Sequence, residues 1–413
     1  MSPEHAFGRM WDALAPIGRD PDTGGYRRFA YDAADLECRA WFAAEARAAG
    51  LDVETDRNGN QWAWWGTPGA DALVTGSHLD SVPDGGAYDG PLGVVSALLA
   101  VRELRERGVR PSRPLAVVNF ADEEGARFGV ACAGSRLVTG ALDADRARAL
   151  TGADGVTLAD AMRAAGLDPD GLGRDDERLA RIGAFVELHV EQGRWLADGP
   201  APVGVATAIW PHGRWRCSFH GEANHAGTTR LRDRRDPMLP FAHTVIAARE
   251  AAERAEAVAT IGRVRVEPNG TNAVPSAVHA WLDARAPDDT ALDRVLADLT
   301  AAAERAAVPH GVDVTVTRES VSPEVEFGAG LRDRLVAVLS RDGAPVPTLP
   351  TGAGHDAGVL SAHVPTAMLF VRNPTGVSHS PAEHATTADC LSGVHALTDV
   401  LADLATTTAE ASR

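Results

Sequence analysis

The order in which hydrophobic periodicities change along the chain constrains its fold most. Residues 1–205 alternate helix-like and strand-like segments. AADLECRAWFAAEARAAG (33–50) has helical spacing and stops at Gly50, and PLGVVSALLAVRELRERG (91–108) is a second helix with Pro91 in its first turn. QWAWWG (61–66), ALVTGS (72–77), LAVVNFA (115–121) and GAFVELHV (183–190) read as strands. Such βαβ alternation predicts a mostly parallel sheet with helices on both faces. Residues about 209–320 break the pattern. Strand 214–221, helix 236–255, strands 261–268 and 277–287, helix 289–307 and strand 312–320 give the order βαββαβ. That order suits a small antiparallel sheet with two helices on one face, as in ferredoxin-like domains. LRDRLVAVLSRDG (331–343) and TAMLFV (366–371) then resume the first pattern. The expectation is an α/β protein in three sequence segments. Residues 1–208 and 321–413 form one split domain, and 209–320 form an insert whose sheet edge would be a natural dimer surface.

Composition removes several kinds of chemistry. All 40 Lys+Arg residues are arginine. Schiff bases, Ser–Lys and Cys–Glu–Lys amidases and carbamylated-lysine metal bridges are therefore excluded, and amide cleavage needs another route. Cys38, Cys132, Cys217 and Cys390 are scattered and form no C-x-x-C pair, which fits a reducing cytosol. MSPEHAFGRMWDAL lacks the basic and apolar regions of a signal peptide, and no apolar run nears the roughly 20 residues of a membrane span, so a cytoplasmic protein is expected. A formal net charge of −17 argues against nucleic acid and anionic membranes as partners. It leaves room for a small anionic substrate bound by local arginines.

Four polar stretches follow the apolar runs: GSHLDSVPDGGAYDG (76–90), NFADEEGARF (119–128), VELHVEQG (186–193) and GVSHSPAE (376–383). They offer His78, Asp80, Asp89, Glu123, Glu124, His189 and His379. This is the composition of a site for two divalent metals: imidazoles, a carboxylate able to bridge, and a spare carboxylate to move protons. In open α/β sheets, ligands gather at the carboxyl ends of strands. A lone histidine after a strand is more often a satisfied loop residue, so the weight rests on the joint occurrence.

Together with NHAGTT, GTNAVPS, LDAR and GAGHDAG, these stretches resemble, in order and over the whole chain, the M20 clan of metal-dependent amidohydrolases. The likeness is to its branch of allantoate amidohydrolases and N-carbamoyl-L-amino-acid hydrolases. The resemblance implies a di-metal α/β/α catalytic domain with an inserted dimerisation or lid domain. It implies two divalent ions per subunit, with Zn²⁺, Mn²⁺ and Co²⁺ all suited to the donors. His78 would ligate one ion, Asp89 would bridge both, Glu124 and His379 would complete one and His189 the other. Asp80 would orient His78. Glu123 would be the general base, with Gly125 supplying the turn that separates it from Glu124. His225 would stabilise the tetrahedral oxyanion, Asn272 and Arg285 would hold the substrate's amide and carboxylate, and Gln192, Gly354 and His355 would complete the pocket. Peptidases of the clan usually carry a carboxylate where this chain has His189, which points to the ureido-cleaving branch. In resembling enzymes the inserted domains pair, and each lends its histidine to the partner's site.

Other residues take plainer readings. His384 lies off the family spacing and is expected on the surface, Trp62, Trp64 and Trp65 in core and rim packing, and His220, His243 and His279 in structural roles. Arg285 could instead pair with Asp283 or Asp288. Arg230 and Leu231 replace the family's proline and methionine, and Arg372 adds a further cation. These arginines would suit a second substrate carboxylate or pair with acids such as Asp233. The expected activity is hydrolysis of a linear C–N bond in a small ureido or N-acyl acid, allantoate first. N-carbamoyl-L-amino acids, 3-ureidopropionate and N-formyl dicarboxylates are the alternatives. A metabolite-binding protein that lost turnover fits less well, because the proton-transfer residue and the full ligand set are both present.

Overall fold

The structure is a computed structural model and describes residues 2–340, 343 and 345–406. Arg341 and Asp342 of the expected 331–343 stretch, and the ends of the outer segments at residue 1 and at 407–413, lie outside the described residues. The chain divides into two compact units, one of residues 1–207 and 327–413, the other of residues 208–326.

In chain order the strands are β1 (Asp52–Thr55), β2 (Gln61–Trp65), β3 (Ala72–His78), β4 (Leu115–Phe120), β5 (Ile182–Val190) and β6 (Val203–Ile209). Then come β7 (His212–His220), β8 (Asn224–His225), β9 (Val258–Glu267), β10 (Ala273–Val274), β11 (Ala277–Arg285), β12 (Asp313–Ser322) and β13 (Val325–Glu326). The last two are β14 (Thr348–Thr351) and β15 (Thr366–Val371).

The first unit is built on a sheet of order β1-β2-β4-β3-β5-β15-β6, with β14 also on β6. Strands β4, β3, β5 and β15 run parallel, while β1, β2 and β6 pair antiparallel. The sheet is thus mixed, with a parallel centre, where a mostly parallel one was expected. Residues 56–60 are too short to cross over the sheet, so β1 and β2 can only form a hairpin. Strand parity buries both faces. Leu73, Val117, Val186, Leu188 and Leu369 join the core with helices Pro3–Leu14, Ala33–Ala48, Pro91–Glu106 and Thr387–Thr406. Residues of the other parity, among them Val74, Val118, Phe185 and Phe370, are buried as well. Helix Asp356–Leu360 packs on β5 and β15, and helix Ala133–Thr139 packs on that helix. Trp62 and Trp64 are core residues whose indole N–H groups reach Asp56 and Glu54. The four parallel strands end at His78, Phe120, Val190 and Val371, and each end feeds one of the polar stretches.

The second unit has a four-stranded antiparallel sheet of order β12-β7-β11-β9. Helices Met238–Arg254 and Asp289–Ala307 cover one face, and Asp288 caps the second by accepting from the Ala291 N–H at 2.7 Å. Cys217, Phe219, Val278, Leu282, Val295 and Leu299 form its core. This is the βαββαβ architecture expected of the insert.

Among the described residues no helix is long and apolar enough to cross a membrane. All four cysteines are free and buried.

Candidate metal centre

Asp89 is the centre of the polar cluster at the carboxyl ends of the parallel strands. It sits just before helix Pro91–Glu106, with Gly90 between them. Gly90 has φ +81°, and a Cβ there would fall 2.5 Å from the His78 ring, so a side chain at this position would displace the imidazole. Asp89 Oδ1 lies 3.5 Å from His78 Nε2 and 3.2 Å from His189 Nε2. Asp89 Oδ2 lies 3.3 Å from His379 Nε2, which in turn is 3.6 Å from Glu124 Oε1. The donors form two trios that share Asp89: His78–Asp89–His189 and Asp89–Glu124–His379, each with ligand atoms within 4.8 Å of one another. A further trio, Glu187–His189–His355, shares His189. There, the Glu187 oxygens already accept from Ser77 Oγ at 2.7 Å and the Ala357 N–H at 3.0 Å.

The ring tautomers decide what the cluster can hold. His78 Nδ1 faces the Asp80 main-chain oxygen at 3.1 Å, and His189 Nδ1 faces that of Val190 at 2.8 Å. A carbonyl only accepts, so both Nδ1 atoms keep their protons and each Nε2 is left to hold a proton or a cation. Both Nε2 atoms are buried and make no hydrogen bond. Buried imidazole nitrogens aimed at a shared carboxylate fit a divalent cation with mixed N/O ligands.

Electrostatics agree with this geometry. Burial would hold Asp89 protonated, but the nearby imidazoles of His189, His379 and His78 draw its carboxyl well below the usual range. Burial opposes charge on His78, yet Glu123, Asp80 and Asp89 outweigh it and raise that ring well above its ordinary value. His379 is raised to about 9, chiefly by its bond to Asp89. Burial, then Asp89, pushes Glu124 up to about 7.

The backbone around Glu123 and Glu124 sets the two adjacent side chains apart. Asp122 takes a left-handed φ of +54°, and Gly125 follows at +62°, where a Cβ would strike the Val130 backbone at 2.4 Å. Asp80 clasps the turn: its Oδ1 accepts from the Glu123 N–H at 3.1 Å and its Oδ2 from the Glu124 N–H at 3.0 Å. Its carboxylate is 3.5 Å from His78 Nδ1, so the main-chain oxygen is the nearer partner of that ring. Glu123 is buried, which drives its pKa well up against the pull of His78. Its Oε1 accepts from the Cys132 thiol at 3.3 Å, and its Oε2 lies 3.7 Å from His78 Nε2.

The other expected site residues are placed as follows. Gln192 Nε2 bonds Asp89 Oδ2 at 2.8 Å and lies 3.3 Å from His379 Nε2, so Gln192 sits against the cluster itself. His355 is buried with its ring 4.5 Å from that of His189, and burial followed by repulsion from His189 lowers its pKa well below the ordinary value. Gly354 is exposed beside it. In the second unit, His225 on β8 is paired with Ala273 on β10, and the Ala226 N–H reaches the Asn272 carbonyl at 3.0 Å, so His225 and Asn272 share one ribbon. The Gly227 N–H donates to His225 Nδ1 at 3.0 Å. Arg285 is not brought to that ribbon. It ends β11, whereas the ribbon leaves from the Ala277 end, about 27 Å away along the strand at ~3.4 Å per residue. Arg285 bonds Asp283 at 2.9 Å through Nε. Arg230 bonds Asp233 at 2.6 Å, Arg372 bonds Asp389 at 2.7 Å, and His384 is exposed, edge-on to Tyr88.

Two contacts escaped the sequence reading. Cys132 gave no motif signal, because its link to Glu123 depends on a loop that returns to the turn. Glu383 lies inside GVSHSPAE, yet its partners are the Tyr88 and Asp89 N–H groups, both at 2.9 Å and almost 300 residues away in sequence.

Residues 74–403 match Peptidase family M20/M25/M40. An N-carbamoyl-L-amino acid amidohydrolase of Geobacillus stearothermophilus is 38% identical over 94% of this chain and 96% of its own length. An allantoate amidohydrolase of Bacillus subtilis is 33% identical over 95% of each chain. A ureidoglycolate hydrolase of Arabidopsis thaliana is 31% identical over 93% of this chain and 83% of its own. Among solved structures, a hydantoinase/carbamoylase family amidase from Burkholderia multivorans superimposes with TM-score 0.85 at 30% identity, over 97% of this chain and 98% of that one. A dinuclear metal binding peptidase of the M20 family from Bacillus subtilis shares the fold at 13% identity, with TM-score 0.63 over 98% and 99% of the two chains.

Proposed function

The chain belongs to peptidase family M20/M25/M40 and is an amidohydrolase, a hydrolase of C–N bonds, and we propose that it cleaves a linear ureido acid, with allantoate as the leading substrate. The observation that carries the reading is the pair of donor trios sharing Asp89, with Glu123 beside them. His78, Asp89 and His189 would hold one divalent ion, and Asp89, Glu124 and His379 the other. Bound there, two such ions polarise a carbonyl and acidify water.

The chain's own groups supply the rest. Cys132 occupies Glu123 Oε1, which leaves Oε2 as the oxygen that takes a proton from water and passes it to the leaving nitrogen. Burial favours the protonated carboxyl and so makes Glu123 a stronger base than an exposed glutamate. Because the Gly227 N–H occupies His225 Nδ1, the neutral ring carries its proton on Nε2, as a donor to the oxyanion must. Asn272 and Arg285 bind the substrate's amide and carboxylate. Arg285→Ala is expected to raise KM roughly 10- to 100-fold for the carboxylate substrate, the scale of about 1.5–3 kcal/mol for a hydrogen bond to a charged group, and to matter little for its amide analogue. Steady-state kinetics on the two compounds check this, and equal effects on both would leave Arg285 to its bond with Asp283.

A second reading is cleavage of N-carbamoyl-L-amino acids, favoured by the 38% identical relative of that activity. The N-formyl dicarboxylate alternative needs Arg230 and Arg372 for a second carboxylate, and both are bonded to acids of this chain. Turnover of allantoate, ureidoglycolate, 3-ureidopropionate and a series of N-carbamoyl-L-amino acids, each with Mn²⁺, Co²⁺ and Zn²⁺, decides between the readings. A preference for carbamoyl amino acids over allantoate would replace the leading one.

The proposal includes a homodimer through the insert. His225 lies on the ribbon that leaves the Ala277 end of β11, whereas Arg285 ends that strand, several times the length of a small ureido acid away, so one insert does not offer both to one substrate. In the proposed dimer, each insert would give Arg285 to one site and His225 to the other, as a two-fold axis makes reciprocal. Homodimers of Glu123→Ala and of His225→Ala are then both nearly inactive. Mixed dimers have one site with neither defect, and recover about half of wild-type activity by symmetry. Verified subunit exchange with no recovery would show that His225 does not act across the dimer.

A further inference from the structure

We propose that Glu383 is a positioning residue that clamps together the two loops carrying Asp89 and His379, and so sets the affinity for the second cation. The inference rests on reading the cluster as a metal centre. Glu383 is 4% exposed and touches no donor of that centre except through backbone or Ser378. Its Oε1 accepts from two consecutive N–H groups, Tyr88 and Asp89, at 2.9 Å each. Its Oε2 accepts from Ser378 Oγ at 3.0 Å, one residue before His379. One carboxylate thus ties the Asp89 turn to the His379 turn through their backbone and Ser378, beside the side-chain links made by Gln192 and by Ser378 Oγ at 3.5 Å from Asp89 Oδ2.

Both turns need such a tie. His379 has a left-handed φ of +53°, a backbone state that a non-glycine residue holds only when its surroundings impose it. Its side chain is half exposed, so packing alone does not fix the ring. The loop behind Asp89 is as closely fitted: a Cβ at Gly86 would lie 2.4 Å from the Glu383 side chain. Because Asp89 Oδ2 and His379 Nε2 belong to the same trio, the clamp acts on the Asp89–Glu124–His379 position more than on the buried His78–Asp89–His189 one. Partners that orient ligands in this way are worth about 10- to 100-fold in metal affinity.

The test reads metal affinity, without substrate. Mn²⁺ and Zn²⁺ dissociation constants are measured on the full chain by competition with a chromogenic chelator. Wild type is expected to take two ions per chain; failure to do so would remove the metal reading itself, not the clamp alone. Glu383→Ala is expected to weaken one ion by roughly 10- to 100-fold and to change the other far less. Glu383→Gln should stay within about threefold of wild type, because its amide oxygen still accepts both N–H groups and its NH₂ can donate to Ser378 Oγ. Wild-type affinity for both ions in Glu383→Ala overturns the proposal. So does a Glu383→Gln as weak as the alanine variant, which would assign the effect to charge. If Glu383→Ala does not fold, Glu383→Asp decides: its shorter side chain cannot span the Tyr88 and Asp89 N–H groups and Ser378 Oγ together, so it should weaken one ion selectively, and it overturns the clamp if both bind as in wild type.

Discussion

Dialysis against a strong chelator should bring turnover to background, and Mn²⁺, Co²⁺ or Zn²⁺ should restore it. Three imidazoles and Glu124 face one carboxylate, and the Nε2 atoms of His78 and His189 are buried with no hydrogen bond. Bound there, cations would supply the Lewis acid that polarises a carbonyl and acidifies water, and chelation removes it. His189→Ala should empty the His78–Asp89–His189 position and abolish activity with it. The same competition sets the pH dependence of loading. Metal must displace a proton from His379, whose pKa is about 9 in the metal-free protein. Below that pH a cation competes with a bound proton, so affinity falls as pH falls; above it that penalty disappears. Elemental analysis after equilibration at graded pH measures this. Full activity in protein shown to contain no metal would end the reading.

The parallel centre of the sheet and the βαββαβ insert were legible because each rests on local periodicity. Runs such as Leu73–Val74 and Val117–Val118 are apolar at both parities, which only a strand covered on both faces requires. The antiparallel flanks were less legible: whether β2 neighbours β3 or β4 depends on edges that periodicity does not encode. At the cluster, residue types were readable one loop at a time, since each parallel strand delivers its own polar stretch. What joins the loops was not. Asp80 faces the His78 ring through its main-chain oxygen, and its carboxylate also holds the Glu123 and Glu124 N–H groups, a second role that spacing does not report. Gln192, expected in the pocket, also lays its amide on Asp89, a contact between loops far apart in sequence. Glu383 and Cys132 act through contacts set by tertiary packing, and a single sequence carries no period or spacing that reports such pairs.

Glu123→Gln should lower kcat by at least ~10², the scale of a general base, while leaving both ions bound. The two adjacent glutamates make this a sharp comparison. Glu124 faces His379 at 3.6 Å within a donor trio, whereas Glu123 is outside both trios that share Asp89. The Glu123 carboxylate is also fixed: the Cys132 thiol holds Oε1, and Asp80 holds the backbone N–H. Glutamine keeps the length and an oxygen for the thiol, so binding and fold should survive, but a neutral amide cannot take the proton from water. KM should therefore change little while kcat falls, the sign of an interaction used only in the transition state. Glu124→Gln should instead weaken one ion, and added metal should recover part of its activity. If Glu123→Gln loses metal and turns over normally once metal is supplied, the two glutamates hold each other's roles, and the turn at Asp122–Gly125 presents the base from the other side.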